Sequence, residues 1–278
     1  MSESTLSFEF FPPRSEDGRE KLYATRKQLS QFNPEFFSCT FGAGGSTRDG
    51  TFQTVADIVK DGLQAAPHLA CIGANRNELK KILDDYVAIG VKRIVALRGD
   101  MPSGMGLMED DGLQYAYQLV EFIREIYGDH FHIEVAAYPE FHPQSANAES
   151  DIAHFVQKCK AGANSAITQY FYNADAYFYF VDAVHAMGVD IPIIPGIMPI
   201  HSFAKLSRFS NTCGAEIPRW LHLKLQSYAD DSASIKSFGL DVVTQLCDTL
   251  LSRGAPGLHF YTLNQAGLVS TICQRLSI

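Results

Sequence analysis

Apolar positions along this chain follow two alternating periods. Runs of seven or eight residues rich in apolar and β-branched side chains are separated by stretches in which apolar residues recur every three to four positions. The strand-like runs are 5–11 (TLSFEFF), 35–41 (EFFSCTF), 66–73 (APHLACIG), 93–99 (RIVALRG), 132–138 (HIEVAAY), 165–171 (SAITQYF), 191–198 (IPIIPGIM) and 257–263 (GLHFYTL). Several are apolar almost throughout, Ile94 to Leu97 for example, as parallel strands covered on both faces require. Between them, residues 77–89 place Leu79, Ile82, Leu83, Tyr86 and Val87 at i, i+3, i+4, i+7 and i+8, with Lys80, Lys81, Asp84 and Asp85 elsewhere. Residues 51–63 repeat this through Val55, Ile58, Val59 and Leu63. Gly90, Gly162 and Gly188 stand where helices close. The longest interval, about 58 residues between the seventh and eighth runs, contains IPRWLHLKLQ, which predicts an extra helix with Pro218 near its first turn.

Eight β–α units in 278 residues predict a single-domain (β/α)8 TIM barrel spanning 1–278. A doubly wound sheet is the alternative. Its dinucleotide-binding form needs GxGxxG after the first strand, and residues 12–20 read PPRSEDGRE, so the barrel is preferred. No low-complexity linker and no repeat of 20–50 residues interrupts the pattern.

Hydrophobic residues make up 46% of the chain and charged residues 19%, enough for a sizeable core. A net charge of -8 argues against a nucleic-acid or anionic-membrane surface. No apolar run approaches the roughly 18–20 residues that span a bilayer. MSESTLSFEF lacks the basic and apolar regions of a secretory signal, so the expected location is the cytoplasm. Cysteines 39, 71, 159, 213, 247 and 273 form no CxxC pair and are expected as reduced, mostly buried thiols.

Barrel enzymes assemble their sites at the C-terminal ends of the strands. Those ends carry Glu9, Thr40, His68, Arg98 with Asp100, Tyr138 with Glu140 and His142, Gln169, and Tyr261 with Asn264. TFGAGGSTRDG (40–50) has the glycines of an anion loop but not the Lys-Ser/Thr of a P-loop, and reads first as a tight strand-to-helix turn. His68, His142 and His259 show no HxH or HExxH spacing, so no metal is expected. GDMPSGMGLMEDDG (99–112) is too irregular for an element and reads as either a lid or a surface loop.

Eight segments then become specific: SFEFFPPR (7–14), TFGAGGSTRD (40–49), APHLACI (66–72), ALRGDMP (96–102), AAYPEFHP (136–143), AITQYFY (166–172), IIPGIMPI (193–200) and HFYTLN (259–264). In order and across essentially the whole chain, they resemble methylenetetrahydrofolate reductase in its short bacterial form. The resemblance implies a barrel flavoprotein with non-covalent FAD that reduces 5,10-methylenetetrahydrofolate to 5-methyltetrahydrofolate by a ping-pong route. NADH or NADPH reduces the flavin and leaves, and the folate then enters the same face. It also implies a role in supplying methyl groups for methionine synthesis and a homo-oligomer, commonly a tetramer. A C-terminal S-adenosylmethionine-binding region is not expected.

By the same resemblance Glu9 is the proton donor. The methylene bridge accepts hydride only after its five-membered ring opens to an iminium, and opening needs a proton on the departing nitrogen. Burial among Phe8, Phe10 and Phe11 is expected to keep that acid protonated. Asp100 matches the acidic residue beside flavin and pterin, and Gln169 a pterin-binding position. Thr40, Phe41, Ala43, His68, Arg98, Gly99, Ala116, Tyr138, His142, Asp151, His154 and Lys158 fall at FAD-contact positions, and Phe209 at an aromatic that packs on nicotinamide or folate. Two positions depart from the family pattern: Lys205 stands at a Gln position, and Gln265 where an Arg commonly follows YTLN. Losing that Arg removes a cation for the folate's glutamate tail, which Lys205 could replace. Two other readings stay open from the residues alone: a metal-dependent barrel hydrolase or aldolase, and a pterin-binding module without redox chemistry.

Overall fold

A computed structural model of the protein describes residues 4–41, 45–99 and 112–278. Its strands are β1 (Thr5–Phe10), β2 (Phe36–Cys39), β3 (Ala65–Ala70), β4 (Arg93–Leu97), β5 (His132–Ala137), β6 (Ser165–Thr168), β7 (Ile193–Ile194), β8 (Gly196–Ile197) and β9 (Gly257–Tyr261). The helices are α1 (Glu16–Leu29), α2 (Gly45–Lys60), α3 (Arg76–Ala88), α4 (Ala116–Tyr127), α5 (Ala148–Lys160), α6 (Ala174–Ala186), α7 (Phe203–Cys213), α8 (Arg219–Ser227), α9 (Ser232–Ser252) and α10 (Gly267–Leu276).

Neighbouring strands are parallel throughout, in the order β7-β6-β5-β4-β3-β2-β1-β9-β8. The two ends of that order are halves of one expected strand, 191–198. Pro195 divides it because proline has no N–H for a ladder bond. The preceding residues pair with β6 and the following ones with β9. The Pro195 carbonyl still accepts from His259 N at 3.0 Å, so the barrel closes across the break. Other strands end earlier than expected, β3 at Ala70 and β6 at Thr168.

Strand periodicity sorts side chains into two cores. Phe8, Phe10, Phe37, Leu69, Ile94 and Val135 face the helices and are buried. Phe10 stacks on Phe37 with ring centres 5.3 Å apart. Burying each such ring contributes roughly 1.5–3 kcal/mol. Inside the barrel a smaller cluster of Phe36, Ala66, Val95 and Ile167 packs with Leu97 and Tyr261.

Helix ends follow local chemistry. Asn75 accepts from Glu78 N at 3.0 Å while the Glu78 carboxylate accepts from Asn75 N at 3.1 Å, a reciprocal cap that starts α3. Gly90, Gly162 and Gly188 lie just past α3, α5 and α6 with φ of 87°, 114° and 79°. In the long interval after β8 the expected extra helix is α8, with Pro218 at its N-cap, flanked by α7 and α9.

The N-terminal mouth is closed by charge. Glu134, 1% exposed, receives hydrogen bonds from Arg93 and Ser165, and Arg93 also bonds Glu35 while lying 4.4 Å from the Phe36 ring centre. Burial alone would raise the Glu134 carboxyl, but the hydrogen bond from His132, the Arg93 charge and Ser165 together hold it below the usual range. Features at this face serve stability; the chemistry belongs at the other end.

Candidate active site

Ends of β3, β4 and β5 and the first turns of α4 and α5 enclose a cleft of about 1060 Å³ at the C-terminal face. Gly99, with φ of 85°, turns the chain out of β4; a β-carbon there would lie 2.8 Å from Ala70 Cβ, so the backbone itself forms this wall. Two cations point at the cleft. Arg98 donates from Nη1 to Gln144 Oε1 at 2.8 Å, while its buried Nε has no hydrogen-bond partner among the described residues. Lys158 donates to the Ala136 carbonyl, and burial pulls its ammonium down to about 8 against the opposing charge of Asp151. Asp151 accepts from His142 N at 3.0 Å and from the Ser145 hydroxyl at 2.8 Å, which pins the loop after β5.

Aromatic faces complete the lining. Tyr115 stacks on Tyr117 at 5.8 Å, Tyr138 meets His142 edge-on at 4.6 Å, and Arg48 lies 6.0 Å from the Phe41 ring centre. Two cations, one of them with a donor unpartnered among the described residues, flat aromatic walls and the bare backbone of Gly99 suit a long ligand with anionic groups and a planar ring system. An FAD molecule has that chemistry.

Phe41, Arg98, Gly99, Ala116, Tyr138, His142, Asp151, His154 and Lys158 line this cleft. Thr40 and His68 do not: the Thr40 carbonyl accepts from Thr51 Oγ1 at 2.8 Å, and His68 turns into the barrel. Ala43 and Asp100 lie outside the described residues, as does most of 99–112. Arg48, Tyr115, Gln144 and Ser145 were not anticipated. Only Arg48 carried a signal, through the glycine-rich run just before it.

Glu9 points into the barrel, its side chain 17% exposed, with Oε2 3.4 Å from His68 Nε2 and 3.8 Å from His259 Nε2. His259 is fully buried, and its Nδ1 lies 2.7 Å from Ser7 Oγ. Burial chiefly holds His68 below its ordinary value, outweighing the attraction of Glu9. The expected phenylalanine cage around Glu9 does not form. Adjacent residues on a strand face opposite ways, so Phe8 and Phe10 belong to the outer core, and Phe11 is 44% exposed. Glu9 instead faces two imidazoles.

Gln169 turns its Oε1 to Tyr170 N at 3.0 Å and lines a small cavity with Tyr138, Glu140 and Cys213. Lys205 and Phe209 lie one turn apart on α7, the first exposed and the second half-buried against the core, and Gln265 is exposed after β9. Among the described residues no group of three or more His, Cys, Asp or Glu side chains converges as metal ligands would.

The family profile described as methylenetetrahydrofolate reductase matches residues 1–277. The chain belongs to the methylenetetrahydrofolate reductase family. It is 40% identical over 274 residues to the 5,10-methylenetetrahydrofolate reductase of Pectobacterium carotovorum subsp. carotovorum, covering 98% of this chain and 90% of that one. The Escherichia coli K12 enzyme of the same name is 39% identical with the same coverage. The Arabidopsis thaliana methylenetetrahydrofolate reductase (NADH) 1 is 36% identical, and the match spans 95% of this chain but 47% of the plant protein. Among solved structures, a Clostridium thermocellum protein that binds two copies of 5-methyl-5,6,7,8-tetrahydrofolic acid superposes with a TM-score of 0.69 at 18% identity, covering 99% and 96% of the two chains. At that identity the likeness is one of fold. Members of the family are oxidoreductases, and none of the described helices of this one is long and apolar enough to cross a membrane.

Proposed function

We propose that this chain reduces 5,10-methylenetetrahydrofolate to 5-methyltetrahydrofolate, with FAD in the cleft and NADH as electron donor in preference to NADPH. The observation that carries the reading is Glu9: a carboxyl near the C-terminal end of β1 that faces two histidines inside the barrel, at the same end as a cleft where Arg98 keeps a donor without a partner among the described residues. The names of the bacterial relatives support the substrate, and the name of the plant relative supports NADH.

Arg98 and Lys158 would hold the anionic part of FAD, and the Gly99 backbone would let the flat ring lie close. When bound, that flavin supplies hydride transfer, taking a hydride in one half-reaction and giving it up in the next. Glu9 supplies a proton. Its carboxyl protonates the departing ring nitrogen, the C–N bond breaks with its electron pair going to nitrogen, and the carbon left as an iminium can accept hydride. Burial holds His68 below its ordinary value, which favours the uncharged imidazole on that side of the Glu9 carboxyl. Asp100, Gln169, Lys205, Phe209 and Gln265 are the proposed folate contacts. A cytoplasmic homotetramer completes the proposal.

The test separates the half-reactions. The protein should purify yellow and bleach anaerobically with NADH. Glu9→Gln should keep the bleaching and lose the folate half-reaction by more than the roughly 10²–10⁴-fold typical of general acid catalysis. Equal losses in both halves would overturn the assignment.

A further inference from the structure

β1 ends where its sequence can no longer extend a ladder. Phe11 is followed by Pro12 and Pro13, which have no N–H to donate. On one side the Phe10 carbonyl still accepts from Thr40 N at 2.9 Å. On the other, β9 stops at Tyr261, and the chain turns away through Leu263 and Asn264, both left-handed with φ of 51° and 57°. The end of the strand that carries Glu9 would fray on that side without a substitute partner.

Two side chains supply it. Thr262 donates to the Glu9 carbonyl from Oγ1 at 2.6 Å and from N at 3.3 Å. Asn264 then takes both backbone groups of Phe11: its Oδ1 accepts from Phe11 N at 3.0 Å and its Nδ2 donates to Phe11 O at 2.8 Å. An N–H needs an acceptor and a carbonyl a donor, so only one orientation of the amide satisfies both. The backbone that carries this amide is held on both sides, since Asn264 N donates to Thr262 Oγ1 at 3.1 Å and the Asn264 main-chain carbonyl accepts from Thr25 Oγ1 at 3.3 Å. Asn is also a side chain that tolerates the left-handed backbone needed here.

We infer that Asn264 is a positioning residue for proton transfer: its amide continues the sheet one step past β9 and so fixes the strand end that aims Glu9 into the barrel. The inference rests on Glu9 as proton donor. Displacing a reacting group by about 1 Å can cost on the order of 10²-fold in rate, so a frayed β1 end should be felt mainly in the step that uses Glu9.

Asn264→Gly keeps the positive φ and removes both bonds; Asn264→Asp keeps the shape and the acceptor but sets a carboxylate oxygen against the Phe11 carbonyl. In the flavin-loaded enzyme both variants should keep flavin content and NADH bleaching within about two-fold. The folate half-reaction should fall about 10–100-fold with its acid–base profile displaced, and the Phe11 amide should exchange hydrogen faster. In a Glu9→Gln background neither change should cost more. Equal losses in both half-reactions, or a deprotected Phe11 amide with an unaltered folate half-reaction, would overturn the inference. If Glu9→Gln alone left the folate half-reaction intact, the proton-donor reading would be what fails. A collapse with Glu9→Gln beside unaffected Asn264 variants would sink the positioning role alone.

Discussion

Gly196 approaches Tyr261 so closely that a β-carbon added to it would lie 2.7 Å from the ring Cε2 and 2.9 Å from the hydroxyl, and 2.1 Å from the Thr168 carbonyl oxygen. The Tyr261 hydroxyl donates to that same carbonyl at 2.7 Å, and Gly196 N donates to Thr168 Oγ1 at 2.8 Å. Three strands meet at this point because the barrel closes across the Pro195 break, and only a residue without a side chain fits.

Gly196→Ala should therefore destabilise the fold by about 1–3 kcal/mol or more, as overpacking does. Gly267→Ala is the control. It opens α10 with nothing within 4 Å of the added carbon, and should stabilise by about 0.4–1 kcal/mol. Urea unfolding of both variants checks the pair. Similar midpoints for the two would contradict the close-packed seam.

Burial holds both His68 and His201 below the ordinary value of 6.5, His201 with added repulsion from Lys236 and Lys205. A histidine that resists charging in the fold takes its proton first when unfolded. The unfolded chain therefore binds more protons just below pH 6.5, and stability falls as pH drops through that window. The thermal midpoint should decline from pH 7 to about pH 5.5, and His68→Gln should shallow the decline. An unchanged slope in the variant would mean His68 is charged in the folded protein.

The sequence spoke clearly where one physical rule governed. Apolar runs such as Ile94–Leu97 gave the strands, and the glycines after α3, α5 and α6 marked helix ends. It failed where two rules competed. Hydrophobic content made 191–198 one strand, whereas Pro195 cannot donate and splits it. The phenylalanines around Glu9 suggested an apolar cage, although strand alternation sends Phe8 and Phe10 to the opposite face. The cleft was legible through strand-end residues such as Arg98 and Tyr138. Tyr115 and Gln144 left no trace, because a cleft residue supplied by a loop or helix start has no period to betray it. The Asn264 bonds join positions 253 residues apart, a distance over which no local pattern operates.

At the opposite mouth, Arg93→Met would leave Glu134, 1% exposed, without its cation. Removing one partner of a buried pair costs about 3–5 kcal/mol. The folded variant should nevertheless bleach with NADH at the normal rate, since this network lies at the N-terminal face. Arg93→Met with Glu134→Gln should recover part of the loss. A bleaching defect that tracks the stability defect would show the two ends of the barrel to be coupled.

Lys158 offers a pH test of the cleft itself. Burial lowers it to about 8, so the ligand-free protein holds this cation at neutral pH and loses it as pH rises past that value. The FAD pyrophosphate keeps its charge over the same range, so any loss of attraction comes from the protein. Bound phosphate favours charged lysine and should shift the transition upward. A charge-assisted hydrogen bond contributes roughly 1.5–3 kcal/mol, about 10–100-fold in affinity. Titrating deflavinated protein with FAD by fluorescence from pH 6.5 to 9.5 should therefore show affinity falling toward the alkaline end. Lys158→Met should start near the weaker level and stay flat. Were the variant to lose affinity in parallel with the wild type, another group would be titrating, and Lys158 would serve only to bridge the Ala136 carbonyl at the end of β5.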